Sequence, residues 1–117
     1  MGTLFEVEQE VGTELPELVG TPKQVPWAKA TRKELLAKAE SAVRERQRFI
    51  AQLLTAGRIA DAEPHRKWLR RALDRLEQMQ AETRAGWWIS RRDNTAVELL
   101  SGAKARPGAF GEEGRDW

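Results

Sequence analysis

Residues 21–57 read TPKQVPWAKATRKELLAKAESAVRERQRFIAQLLTAG, and the folding of this run decides the architecture. Its residues Trp27, Leu35, Ala39, Ala42, Phe49, Ile50 and Leu53 recur at helical spacing, which gathers side chains into one stripe. The start is marked. Thr21 is a cap, Pro22 suits the first helical position, and Gln24 completes a Thr-x-x-Gln capping box. Pro26 removes one early backbone donor and predicts a kink in the first turn. Gly57 is a natural stop, because glycine readily takes the left-handed conformation that ends helices. A first helix is therefore expected over about 22–56, long for a globular domain.

Working outward, Asp61 offers the next cap, and Pro64 is then tolerable within the first turn. His65, Trp68, Leu69, Ala72, Leu76 and Met79 form a second stripe ending near Ala81. The short loop between the two helices predicts antiparallel packing. Thr83 caps a short third helix over about 84–92, Asn94 ends it, and TAVELL (95–100) adds a final turn or two before Gly102. The expected fold is all-α: a long helical hairpin closed by a small cap. The longer first helix leaves an overhang, a surface for a second copy and hence for a homodimer.

The flanks differ in kind. In FEVEQEV, Phe5 and Val7 alternate with Glu6 and Glu8, but a lone strand has no sheet to join. Residues 1–20 are therefore read as an extended acidic arm, broken from the helix by LPEL (15–18) and Gly20. Residues 21–101 form the basic helical domain, and the Gly- and Pro-rich stretch 102–117 reads as a flexible tail.

Composition narrows the classes. The 117 residues are one domain by length, and 32% of them are charged. The absence of cysteine excludes a disulfide framework and thiolate metal sites. A single histidine, His65, makes no zinc site on its own. No apolar run approaches the roughly 20 residues that span a bilayer, so no membrane association is expected. The amino terminus has neither the basic nor the apolar region of a secretory signal, which points to the cytoplasm. The net charge of +2 hides a segregation. Residues 1–20 carry five carboxylates and no base, whereas residues 21–92 carry 17 Lys or Arg against 8 Asp or Glu. An acidic leader on a basic body suits a polyanionic partner; solvated helix faces give the same statistics.

The tryptophan doublet in AGWWISRR (85–92) splits across a helix. Trp88 and Ile89 share the face expected in the core, and Trp87 lies about 100° away, with Arg91 one turn along at cation–π spacing. Trp87 reads either as a ring half-buried under the acidic arm or as a contact residue for bases or a protein partner. Basic side chains form two outer rows. Lys29, Lys33, Arg44 and Arg48 lie on the first helix, with Arg66, Lys67, Arg70 and the flanking Arg71 on the second. Together they are expected to track phosphates, unless pairs such as Glu63–Lys67 and Glu40–Arg44 neutralise them.

Two residues break the stripes. Arg46 falls within the apolar stripe of the first helix and calls for a carboxylate partner, a path to water, or an oligomer contact. His65 points into the second stripe as a satisfied core or capping histidine. Paired catalytic carboxylates, Gly-rich phosphate loops and nucleophile elbows are absent from the sequence, so neither an enzyme nor a cofactor is expected.

The run LPELVGTPKQVPWAKATR (15–32) followed by ETRAGWWISRR (82–92) resembles a group of small proteins from bacteriophages, plasmids and integrated elements. The matching positions are Leu18, Gly20, Thr21, Lys23, Gln24, Trp27, Ala28 and Arg32, then Ala85, Trp87, Trp88, Ile89 and Arg92. The chain departs from the pattern at Pro26 and Gly86. The resemblance covers about residues 15–92. It implies a helical domain of mobile-element origin and carries no activity across; its motif residues imply a capping box, a core tryptophan at each end, and an arginine tying them together. Two functions are expected on this footing. One is a non-enzymatic accessory protein binding nucleic acid or a nucleoprotein through its basic faces. The other is an inhibitor of a bacterial defence system, of anti-CRISPR or anti-restriction type, that binds a host or phage protein.

Overall fold

Thr21 and Gln24 exchange hydrogen bonds: the Gln24 amide donates to Thr21 Oγ1 (3.1 Å) and the Thr21 amide to Gln24 Oε1 (2.9 Å). This reciprocal box opens α1, Gln24–Thr55. Pro26 is third in the helix, where the backbone donor it lacks would be unsatisfied anyway. The computed structural model describes residues 15–102 and Lys104. The expected acidic arm falls largely on residues 1–14 and the expected tail largely on 105–117, outside the described residues.

At its other end α1 closes on Gly57 (φ 77°), with Arg58 N–H donating to the Leu53 carbonyl (2.8 Å) and Gly57 N–H to that of Leu54 (3.0 Å). The chain turns directly into α2, Ile59–Gln80. Asp61 is therefore not the cap. It lies inside the first turn and pairs with Arg58 at 2.8 Å, so the helix begins two residues before it. That start moves Pro64 into the second turn, where the carbonyl it leaves without a donor belongs to exposed Ala60.

The third helix is shorter than the sequence implies: α3 is Ala85–Ser90, and Arg91 and Arg92 lie in the turn beyond it. The last, α4, is Ala96–Ser101, opened by a Thr95–Glu98 capping box and ended by Gly102 in the left-handed conformation. Asn94 is wholly buried between α3 and α4, its Nδ2 donating to the Lys104 carbonyl and its own carbonyl accepting from Lys38 Nζ.

The hairpin is as expected, with α1 packed along α2. Its main core joins Leu35, Leu36, Ala39 and Val43 of α1 to Ala72, Leu76 and Met79 of α2, and Trp88, Ile89, Leu99 and Leu100 close it from above. A smaller cluster of Ile50, Leu53 and Ala62 seals the turn end, linked to the main core through Leu69. Two stripe assignments fail. Trp27 is 41% exposed and Phe49 43% exposed. At 100° per residue both lie roughly 80–120° from the Leu35–Ala39–Val43 line, and Ala28, Thr31 and Arg32 take the buried positions instead.

The overhang of α1 is not open. α3 and α4 both pack on α1, and an extended strap, residues 15–20, docks beside them. Leu18 is buried there, and Val19 pairs in parallel with Arg84 through bonds from Val19 N–H to the Thr83 carbonyl (2.7 Å) and from Ala85 N–H to the Val19 carbonyl (2.9 Å). Arg32 fixes the strap by donating from Nη1 to the Pro16 carbonyl (2.8 Å), and burial lowers its pKa. Returning chain thus packs against the part of α1 that extends past α2.

Candidate functional site

Every member of the two basic rows is solvent-exposed: Lys29, Lys33, Arg44 and Arg48 on α1, and Arg66, Lys67, Arg70 and Arg71 on α2. The expected Glu63–Lys67 and Glu40–Arg44 pairs do not form. Among the described residues the ion pairs are Arg58–Asp61, Arg84–Glu82 and Arg92–Asp93. At 100° per residue Arg48 lies about 180° from the buried line of α1, on its outer face. The α2 row itself straddles its helix. Arg66 and Arg70 border a groove with Ile50, Leu54, Leu69 and Leu73, and Arg71 borders a separate cleft with Trp68.

The doublet divides as its helical register requires. Trp88 is fully buried, its indole N–H donating to the Glu82 carbonyl (3.3 Å). Trp87 is half-buried and meets Trp88 edge-on, their ring centroids 4.9 Å apart. The Arg91 guanidinium stands 4.3 Å over the Trp87 ring, and its Nη1 donates to the Trp87 carbonyl. Burial lowers the Arg91 pKa, and the like charge of Arg84 lowers it further. Glu82 works against that shift and Arg75 adds to it, which places the Arg84 and Arg75 guanidiniums within electrostatic reach of Arg91. Trp87 is therefore a ring with a cation already on it rather than a bare stacking platform.

Arg46 has no described carboxylate within 4.0 Å. Its guanidinium stands 4.1 Å over the Trp68 ring, and its Nη1 approaches His65 Nδ1 at 3.3 Å. His65 also meets exposed Phe49 edge-to-face at 4.9 Å. The guanidinium thus sits at a half-exposed aromatic rim, and His65 is held by packing and that one polar contact. Trp27 is covered in the same way, by Arg92 at 5.5 Å. The Arg92 guanidinium thus joins the turn after α3 to the start of α1, at a tryptophan that is not core.

Arg75 was not singled out by sequence reasoning. It is half-buried on α2 where α4 ends, so close that a Cβ on Gly102 would meet its Nη2 at 2.6 Å. The available signal was Arg71 and Arg75 at i and i+4, one turn apart on the flank of the stripe. Among the described residues no group of three or more His, Cys, Asp or Glu is placed to hold a metal, and no helix is long and apolar enough to cross a membrane. Comparison with known proteins finds no matching family model, no similar curated protein and no similar solved structure.

Proposed function

We propose that the chain is a non-enzymatic accessory protein of a phage or mobile element that binds nucleic acid, or a nucleoprotein, through its basic helical faces. The observation that carries this reading is the crest of α2. Arg66, Lys67, Arg70 and Arg71 are exposed within six residues, and none has a described carboxylate within 4.0 Å. Charges this dense and unneutralised attract a polyanion, and phosphate contacts of this kind are backbone-directed and salt-sensitive. A gel shift with single- and double-stranded DNA at low and moderate salt tests it. Binding that weakens steeply with salt is the expected result, and no shift on either DNA at low salt rejects it.

A second reading has its own support. The groove beside Arg66 and Arg70 leaves Leu54 and Leu73 exposed on one side of the hairpin, an apolar strip between cations that suits a protein partner. On this reading the chain inhibits a bacterial defence effector by occupying its surface. Leu73→Glu would then abolish capture of a purified effector while leaving any binding to DNA intact.

A further inference from the structure

Between α2 and the end of α4 lies a half-open cleft of about 360 Å³. Trp68, Arg71 and Arg75 line it from α2, and Leu100 and Ser101 from α4. The volume lies at the lower end of the roughly 300–1,000 Å³ usual for small-ligand sites. Arg75 also borders a neighbouring hollow of about 60 Å³ that reaches Trp87 and Arg91. Arg75 therefore links the cleft of Trp68 and Arg71 to the hollow of Trp87 and Arg91, and none of the three arginines has a described carboxylate within 4.0 Å. Asp74 lines the cleft too, but it forms no ion pair with the arginines beside it.

We infer that this cleft seats one unstacked nucleotide of a single-stranded nucleic acid. Its base lies against Leu100 and the Trp68 face that Arg46 leaves uncovered, and its phosphates run across Arg71 and Arg75 towards Arg91. The inference rests on the nucleic-acid reading above and adds the form of the partner. Each wall matches a part of the ligand. An indole and a leucine suit the apolar faces of a base, guanidiniums suit phosphate oxygens, and the Asp74 carboxylate accepts from the amino or imino groups of a base edge. A phosphate alone leaves the aromatic and apolar walls unused. A base within a duplex has both faces covered by its neighbours and cannot enter, so the cleft selects single strands.

The test uses the full chain with a fluorescein-labelled twelve-residue oligothymidylate, the matching duplex, and an oligonucleotide carrying photoreactive 4-thiothymidine. Ser101→Leu narrows the cleft from an exposed position and alters no charge. It should lower the affinity for the single strand about tenfold relative to that for the duplex, the loss of one stacked base. On the unaltered protein, crosslinks should fall within residues 68–75 or 100–101, which keeps the test decisive if the variant folds poorly. Binding with crosslinks elsewhere and an unchanged single-strand preference in Ser101→Leu overturns the cleft assignment and leaves the nucleic-acid reading standing. Binding of neither DNA by the unaltered protein overturns both.

Discussion

The guanidinium of Arg46 stands 4.1 Å over the Trp68 ring, which joins the middle of α1 to α2 through a cation and an aromatic face rather than through a salt bridge. Such a contact at a half-exposed rim contributes about 0.5–1 kcal/mol. A double-mutant cycle of Arg46→Met and Trp68→Leu, read by chemical denaturation, should return a coupling of that size. Raising the salt should weaken it less than it would a surface ion pair.

Trp88 and Trp87 are neighbours with different work. Trp88 is sealed in the core beneath the cap, so Trp88→Ala should cost about 3–5 kcal/mol in thermal or urea unfolding. Trp87 is half-buried under Arg91, and Trp87→Ala should cost less than half as much. Equal costs would mean that the register of α3 differs from the one described.

Glu82 supplies the pH dependence. Its carboxylate accepts from Arg84 Nε (2.8 Å) and Nη2 (3.0 Å) and from the Arg84 amide (2.9 Å). The side-chain bond to Arg84 is the largest cause holding its pKa below the ordinary carboxylate value; partial burial opposes the shift. A carboxyl with a lowered folded pKa stabilises the fold above its unfolded value of about 4.3, and that stability disappears as pH falls through the folded value. Arg84 is largely exposed, so the contribution is about 1 kcal/mol or less. Glu82→Gln should therefore lower the melting temperature slightly at pH 7 and match the parent protein in strong acid.

Gly20 is a packing requirement. A Cβ there would lie 2.8 Å from Ala85 Cβ and 2.8 Å from Gln24 Oε1, where the strap crosses the start of α3 and the capping box of α1. Gly20→Ala should destabilise by about 1–3 kcal/mol, because neither neighbour can yield without moving backbone or breaking the box. Hydrogen exchange should show the loss first at the amides of Val19 and Ala85, whose bonds hold the strap.

Much of the hairpin was legible because its information is local. Thr21 and Gln24 lie three apart, Leu35, Ala39 and Ala72, Leu76 sit on single stripes, and Gly57 marks the turn. Trp27 and Phe49 misled because hydrophobicity was read ahead of angle: each lies well off the buried line, and each is covered in part by Arg92 or His65. Arg32 belongs to the buried set because its partner is a backbone carbonyl of a distant strap, which no periodicity announces. The meeting of Arg71, Arg75 and Leu100 at one cleft depends on how α4 returns across α2. That is a tertiary fact, and the sequence alone marks only its ingredients.

On the function proposed above, the cationic crest of α2 holds phosphates. The most direct measurement is the dissociation constant for a short DNA across a salt series, for the parent chain and for the Arg66→Gln, Lys67→Gln, Arg70→Gln triple variant. Each phosphate contact adds roughly 0.7–0.9 to the slope of log affinity against log salt, so the triple variant should lose about two to three from the slope and retain its melting temperature. An unchanged slope with a folded variant would contradict the claim.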